Sequence, residues 1–148
     1  MNTYTKKLEF SFLPDGRLNV PYLGATAKKM LEQGSAEEAL VLFRTISYDD
    51  QRGYLGHYGM GLCYVKTGET QMALSSFEAA FTLNPKPYIA VAILETLTQV
   101  RELQRAKMNA IRFKFLAKDS PILDKRISQV IELAETDEKI SPNTIDLK

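Results

Sequence analysis

Two stretches of this chain superpose on each other with an offset of 34 residues, and this internal repeat constrains the fold more than any other feature. In each copy an apolar helical segment ends at a glycine, and a second helical segment follows. Repeats of about 20 to 50 residues are typical of solenoids, in which stacked units bury a continuous core. The superposition pairs Ala27 with Gly61, Met30 with Tyr64, Gly34 with Gly68, Ala39 with Ala73, Phe43 with Phe77, and Ile46 with Ala80.

Local signals agree with a helical reading of residues 20–118. Ser35 and Glu38 have the spacing of a capping box, in which hydroxyl and carboxylate satisfy free amides at a helix start. Asn84-Pro85 stops the second helix of the second unit. A third unit is expected from about Tyr88, but the residues there match the repeat pattern less well. Glu95 then occupies the small-residue position, and Ala106 comes one residue early for the next one.

The two ends of the chain differ from the repeats. At the start, Leu8, Phe10 and Phe12 alternate with polar residues before the turn residues 14–16, which predicts a short β-hairpin or an extended arm. Near the end, Ser120-Pro121 begins a helix. Its apolar stripe, which would cover the exposed end of the core, consists of Ile127, Val130, Ile131 and Ala134.

The sequence therefore predicts a single all-α domain, a helical solenoid of about three helix pairs. Its parts are an arm (1–19), repeat 1 (20–53), repeat 2 (54–87), a degenerate repeat 3 (88–120), a capping helix (121–135) and a frayed tail (136–148).

The pattern resembles the tetratricopeptide repeat, whose signature is W-x2-L-G-x2-Y, then A-x3-F, then P. The second unit departs from it at His57, which stands where the family has Trp, and the first unit has Leu23 there and Gln51 at the proline position. The structural repeat positions that the resemblance implies are Ala27, Ala39, Phe43, Gly61, Tyr64, Gly68, Ala73, Phe77, Ala80 and Pro85.

The segment "GYLGHYGMGLCYVKTGE" holds five glycines, which raises the question of a phosphate-binding loop. Such a loop needs G-x-x-x-x-G-K-[ST], but Val65 precedes Lys66 here. Gly61 instead suits a close approach of two antiparallel helices, and Gly68 suits the turn between helices. Gly56 and Gly59 each lower the stability of a helix by about 1 kcal/mol relative to alanine at an interior position. Close approach of a ligand's backbone to that face would account for them.

Catalytic and metal-binding constellations are not predicted. His57 and Cys63 are the single histidine and cysteine, and on one helix they lie roughly 240° apart, so they cannot form a Cys-His pair. His57 is expected to pack in the Trp position and Cys63 to be a small buried hydrophobe. No metal cluster has the required spacing. The sequence predicts neither an enzyme nor a cofactor.

The charge distribution narrows the class of partner. The formal net charge is +1, which gives no global case for nucleic acid or membrane binding. Residues 100–126 nevertheless carry eight Lys/Arg against three Asp/Glu. We expect a solvated surface there, with an acidic partner as the alternative. The first residues lack the apolar core of a signal peptide, and no apolar run is long enough to span a membrane, so the expected location is the cytoplasm.

In tetratricopeptide domains the first helix of each pair lines a concave groove that receives a peptide. The resemblance places Pro21, Gly24 and Gln99 in that groove, together with the client-binding residues Lys28, Leu31, Leu55, Tyr58, Leu62, Val65, Ile89, Ala92 and Thr96. Lys28 is the one basic residue among them, which disfavours a clamp for an acidic C-terminus. An apolar groove suits an amphipathic or hydrophobic segment. The alternative for Leu62 and Val65 is ordinary core packing.

The run 48–97 also resembles the type III secretion chaperones of tetratricopeptide type. One subgroup holds the hydrophobic translocator proteins before export. The other holds the self-polymerising needle subunit by its C-terminal helix, together with a small helical co-chaperone. The N-terminal arm favours the needle-subunit subgroup. The resemblance thus implies a protein-binding chaperone, leaves a homodimer open, and has as its alternative a scaffold in a multiprotein complex unrelated to secretion.

Overall fold

The computed structural model describes residues 10–140, and this part of the chain is helical, with eight helices and no β-strand. The all-α prediction is confirmed. The helices are α1 (Val20–Glu32), α2 (Ala36–Ile46), α3 (Gly53–Lys66), α4 (Thr70–Leu83), α5 (Pro87–Gln99), α6 (Leu103–Arg112), α7 (Lys114–Ala117) and α8 (Pro121–Ile140).

The chain divides into two compact units between Asn84 and Pro85. In the N-terminal unit, helices α1 to α4 pack in sequence order, and α1 also contacts α3. In the C-terminal unit, α8 packs against α5, α6 and α7. The division into repeats within a single domain stays a prediction.

Two glycines build the same turn 34 residues apart. Gly34 and Gly68 have positive φ values of 88° and 79°. The amides of Gly34 and Ser35 donate to the carbonyls of Leu31 and Met30, at 3.1 and 2.8 Å. The equivalent bonds after α3 run from Gly68 to Val65 and from Glu69 to Tyr64. This is the Schellman arrangement, in which a left-handed residue satisfies the last carbonyls of a helix.

The same turn explains why the predicted capping box does not form. The side chain of Ser35 makes no capping hydrogen bond to α2. In a capping box the carboxylate at Glu38 would accept from the amide of Ser35. That amide already donates to the carbonyl of Met30 across the turn, so it is not free to donate to the carboxylate of Glu38.

The turn between α5 and α6 repeats this geometry without a glycine. Arg101 has φ of 63°, its amide donates to Thr98, and the amide of Glu102 donates to Leu97, both at 3.0 Å. An L-residue in the left-handed region costs about 1 kcal/mol or more, because its Cβ crowds the backbone. Arg101 comes 33 residues after Gly68 rather than 34, because α5 has 13 residues where α3 has 14.

This one-residue shortening corrects the assignment of Glu95. Counted back from the turn, the equivalent of Gly61 is Leu94, which is fully buried, whereas Glu95 is exposed and accepts a hydrogen bond from Arg126 at 2.8 Å. The equivalent of Phe77 is Ala110, which is also fully buried. In the second unit the first helix carries the small residue, Gly61, and the second helix the large one, Phe77. In the third pair the first helix carries the large residue, Leu94, and the second helix the small one, Ala110.

The two ends of the described chain differ in part from expectation. Between Phe12 and Leu18 there is an isolated antiparallel bridge around a turn, and the predicted hairpin is not confirmed. Leu8 lies outside the described residues. At the other end, the amide of Leu123 donates to Ser120 Oγ at 3.2 Å, as the capping position predicts.

Helix α8 continues five residues past its predicted end at 135. Two ion pairs lie near this end of α8: Lys107 with Glu135 at 3.8 Å, and Arg101 with Asp137, within the extension, at 3.5 Å. Residues 141–148 of the predicted tail lie outside the described part of the chain. The inward face of α8 is buried at Leu123, Ile127, Val130 and Ala134, while Ile131 is half-buried.

The core of the N-terminal unit contains the repeat positions expected to be small. Ala27, Ala39, Ala73 and Ala80 have no exposed surface, so the helices that carry them can approach closely. Phe77 and Tyr64 are buried as well, at 1% and 6% exposure.

Prediction for Arg101. Replacing Arg101 with glycine should leave the protein about 1 kcal/mol more stable than replacing it with alanine, because both lose the ion pair but only alanine keeps a strained Cβ. Urea unfolding followed by circular dichroism measures the difference. At Met108, exposed within α6, the order should be reversed by a similar amount. Alanine more stable than glycine at position 101 would contradict the left-handed turn.

Candidate functional site

The N-terminal unit contains a mostly apolar cavity of about 490 Å³ between helices α1, α2 and α3. Ligand pockets in proteins commonly have volumes of about 300 to 1,000 Å³. The lining residues are Val20, Pro21, Gly24 and Lys28 of α1, Phe43 and Ile46 of α2, Arg52 before α3, and Leu55, Tyr58, Gly59 and Leu62 of α3.

Three glycines of α3, Gly53, Gly56 and Gly59, lie directly against α2. A Cβ at Gly56 would overlap the backbone nitrogen of Ser47 and lie 2.5 Å from the carbonyl oxygen of Phe43. A Cβ at Gly53 would lie 2.7 Å from the carbonyl oxygen of Ser47. At Gly59 a Cβ would overlap the ring of Phe43. The backbone of α3 therefore rests directly on α2.

This contact corrects the expectation for Gly56 and Gly59. Both are buried against the chain's own helix α2, so no ligand backbone is needed to account for them. At Gly61, on the side of α3 that packs on α4, a Cβ would overlap the ring of Phe77. That finding agrees with the close helix approach predicted at Gly61.

The cavity has a buried floor and a more accessible wall. Phe43 and Ile46, at 7% and 1% exposure, form the floor. Leu55, Tyr58 and Leu62 are half-buried on α3. Tyr58 is held by the ring of Phe77, with centroids 5.6 Å apart. Tyrosine is among the residue types that are enriched at the energetic centres of interfaces.

Two cations border the cavity, and none of the described residues that line it is acidic. Lys28 is exposed on α1, and Arg52 is half-buried at the start of α3. Arg52 lies 3.8 Å from Asp49 Oδ2. The same oxygen accepts the backbone amides of Gln51 and Arg52, at 3.2 and 2.8 Å. Asp49 thus stabilises its own loop and holds the guanidinium only loosely.

Of the eight predicted groove residues on α1 and α3, the cavity brings six together. Lys28, Leu55, Tyr58 and Leu62 line it, along with Pro21 and Gly24. Leu31 packs half-buried against the core, and Val65 is 38% exposed beyond the cavity lining.

Four of the predicted groove residues belong to the C-terminal unit, where Gln99 is exposed and the other three are buried. Ile89, Ala92 and Thr96 are 0%, 9% and 5% exposed, and the Thr96 hydroxyl donates to the Ala92 carbonyl at 2.7 Å. Their burial gives no support to a role in binding, which stays a prediction. Sequence reasoning missed Arg52, although its place just before the first turn of α3 was a usable signal.

His57 and Cys63 have the surroundings of packing residues. Burial lowers the pKa of the half-buried His57 imidazole, which favours its neutral form. Burial also raises the pKa of the Cys63 thiol to about 11, and the side chain is 1% exposed. A thiol with this pKa is a poor nucleophile at neutral pH. The described residues contain no group of three or more His, Cys, Asp or Glu side chains that could hold a metal ion.

The basic stretch of the C-terminal unit is partly neutralised. Arg101, Arg105 and Lys107 pair with Asp137, Glu102 and Glu135 respectively. A separate feature of the same unit is an apolar stripe along α6 and α7. It consists of Met108, Ile111 and Phe115, which are 71%, 51% and 59% exposed.

A scan against protein-family models, a search of curated proteins and a search of solved structures each found no match to this chain. Among the helices of residues 10–140, none combines the length and the apolar character that crossing a membrane requires.

Prediction for the glycine face. Gly56→Ala should destabilise the protein by about 3 kcal/mol or more, because its methyl group overlaps backbone atoms of α2 that cannot move aside. Gly24→Ala is the matched control, since its Cβ would meet only Ile46 Cδ1 at 4.0 Å. That substitution should be neutral or stabilising by up to about 1 kcal/mol. Thermal unfolding of the two variants tests this, and equal stabilities would contradict the direct contact of α3 with α2.

Prediction for Cys63. Alkylation by iodoacetamide near pH 8 should be slower than in the urea-unfolded chain by on the order of a thousandfold, because reaction requires the N-terminal unit to open. Mass spectrometry of timed samples measures both rates. Fast labelling of the folded protein would show that the thiol is accessible and would reopen a chemical role for it.

Proposed function

We propose that this protein is a non-enzymatic chaperone that binds an amphipathic or hydrophobic helix of a client protein in the cavity of its N-terminal unit. The observation that carries the proposal is the cavity itself. It has a buried apolar floor, half-buried apolar side chains along α3, and a volume of about 490 Å³. This volume suits a few large apolar side chains rather than a whole folded domain.

A helical client suits this site better than an extended one. An extended peptide that adds to a sheet needs unpaired backbone donors and acceptors along an edge strand. The described residues contain no strand, and the cavity walls are helices whose backbone groups bond internally. A helix satisfies its own backbone and needs only side-chain contacts, with anchors at positions i, i+3, i+4 and i+7.

The specific role we propose is that of a cytoplasmic type III secretion chaperone of tetratricopeptide type. The support for it is the resemblance of the repeat positions and of residues 48–97. In this role the protein keeps a needle subunit or a translocator from assembling early, by covering the apolar helix through which the client would associate. A small helical co-chaperone or a second copy of the chain would complete the complex.

The second candidate is a scaffold that holds several partners and has no export role. The stripe of Met108, Ile111 and Phe115 favours it, because exposed apolar patches often mark contact surfaces. The two candidates differ in which surface is needed. A chaperone depends on the cavity, whereas a scaffold also depends on the stripe.

Prediction for Leu62. Leu62→Glu should weaken client binding by on the order of a hundredfold, because a carboxylate would be placed against apolar client anchors. Val41→Glu is the control, since Val41 is 58% exposed in the same unit and does not line the cavity. It should change affinity by about threefold or less. Circular dichroism of both variants should match the wild type.

The client for this measurement can be found by cross-linking in the native cells. A photoreactive residue at position 62, compared with one at position 41, should capture one small client. That client is then purified and titrated. Normal client binding by a folded Leu62→Glu variant would overturn the assignment of the site. Loss of several partners on Ile111→Glu, with Leu62→Glu silent, would favour the scaffold.

A further inference from the structure

We propose that the helix received by the cavity carries acidic side chains at both ends of its apolar contact face, about seven or eight residues apart. This inference rests on the proposed function and specifies the chemistry of the client. It depends on where Lys28 and Arg52 lie relative to the apolar lining.

The first step is the direction of the helices. Short connections join α1 to α2 and α2 to α3, and each pair is in contact, so both α1 and α3 run antiparallel to α2. Helices α1 and α3 are therefore roughly parallel to each other, and residues later in either helix lie toward the same end of the cavity.

The second step is the register. A Cβ at Gly24 of α1 would meet Ile46, and a Cβ at Gly56 of α3 would meet Ser47 and Phe43. Both glycines thus lie beside the last turn of α2. Lys28 comes four residues after Gly24, whereas Arg52 comes four residues before Gly56.

The two cations therefore lie at opposite ends of the cavity. The offset of about eight residues corresponds to about 12 Å along the helices, at about 1.5 Å per residue. Between them the lining is Pro21, Gly24, Leu55 and Tyr58, with Leu62 near the Lys28 end.

The third step is electrostatic. No acidic side chain lines the cavity among the described residues, and the nearest carboxylate to Arg52, that of Asp49, is held by backbone amides. A helix that buried only apolar side chains here would give Lys28 no carboxylate partner and would leave Arg52 with only its 3.8 Å contact to Asp49. Carboxylates at those flanks would pair with Lys28 and Arg52, and such rim pairs set orientation and discriminate between partners.

The client face that fits is therefore acidic at position i, apolar at i+3 and i+4, and acidic again at i+7 or i+8. The long side chains of lysine and arginine tolerate either of the last two positions. Because the cations lie at both ends, the arrangement differs from capture of a single terminal carboxylate at one point.

The test uses a display library of helical peptides, randomised along one face and selected on the immobilised full-length protein. Selected peptides should be enriched in the acidic–apolar–acidic pattern. For the best peptide, exchanging both carboxylate residues for lysine should weaken binding about tenfold at low salt, and the difference should shrink as salt increases.

Charge variants of the protein locate the effect. Lys28→Glu should remove the preference for acid at one flank of the peptide, and Arg52→Gln should reduce it at the other. The matched controls are Lys29→Glu and Arg44→Gln, which change the same charges at exposed positions outside the cavity lining and should leave the preference intact.

The outcomes separate the two proposals. Peptides that bind only through Leu62, without any preference for flanking charge, would overturn the acidic-flank inference and leave the proposed function standing. Selection of peptides whose binding is indifferent to both Leu62→Glu and the charge variants would overturn both. Loss of the acid preference with Lys28→Glu but not with Lys29→Glu would support both.

Discussion

Direct contact between the backbones of α3 and α2 is the interaction on which the N-terminal unit depends. Gly53, Gly56 and Gly59 bring α3 so close to α2 that a single added methyl group would overlap main-chain atoms or the ring of Phe43. Glycines weaken an isolated helix, so their cost must be offset by packing. Leu55, Tyr58 and Leu62 lie on the neighbouring face of α3 and, together with Gly59, form a wall of the cavity.

The turns show how the repeat is maintained and where it relaxes. Gly34 and Gly68 close the first two helix pairs with the same hydrogen bonds, and Arg101 closes the third in the same conformation. The third pair keeps this backbone geometry but has Arg101 in place of glycine, the residue that adopts it most easily. Its helix α5 is one residue shorter, and the large and small core residues exchange sides, with Leu94 and Ala110 replacing Gly61 and Phe77.

Much of the fold could be predicted from the sequence because helix ends and repeat spacing are local signals. The glycine turns, the serine cap at Ser120 and the stop at Pro85 lie close to where the structure places them. The direction of the glycine face could not be predicted, since only tertiary packing decides whether Gly56 meets a partner or its own chain. The one-residue shift was visible only in the early position of Ala106, because a non-glycine residue such as Arg101 does not mark a left-handed turn in the sequence.

The candidate site was predictable in part. The resemblance to the tetratricopeptide repeat, applied at the 34-residue offset, placed Lys28, Leu55, Tyr58 and Leu62 in one groove, and these four residues line the cavity. The same offset failed to show that Ile89 and Thr96 are buried, because burial depends on neighbouring helices rather than on spacing.

The two sides of α3 also differ in how freely the sequence can change. On the side toward α2, any side chain larger than hydrogen meets main-chain atoms or the ring of Phe43, so these positions admit almost no variation. On the side toward the cavity, Leu55 and Leu62 are half-buried and border open space, so other apolar residues fit there without moving the backbone. Single substitutions could therefore alter the shape and chemistry of this surface while the support beneath it stays constant.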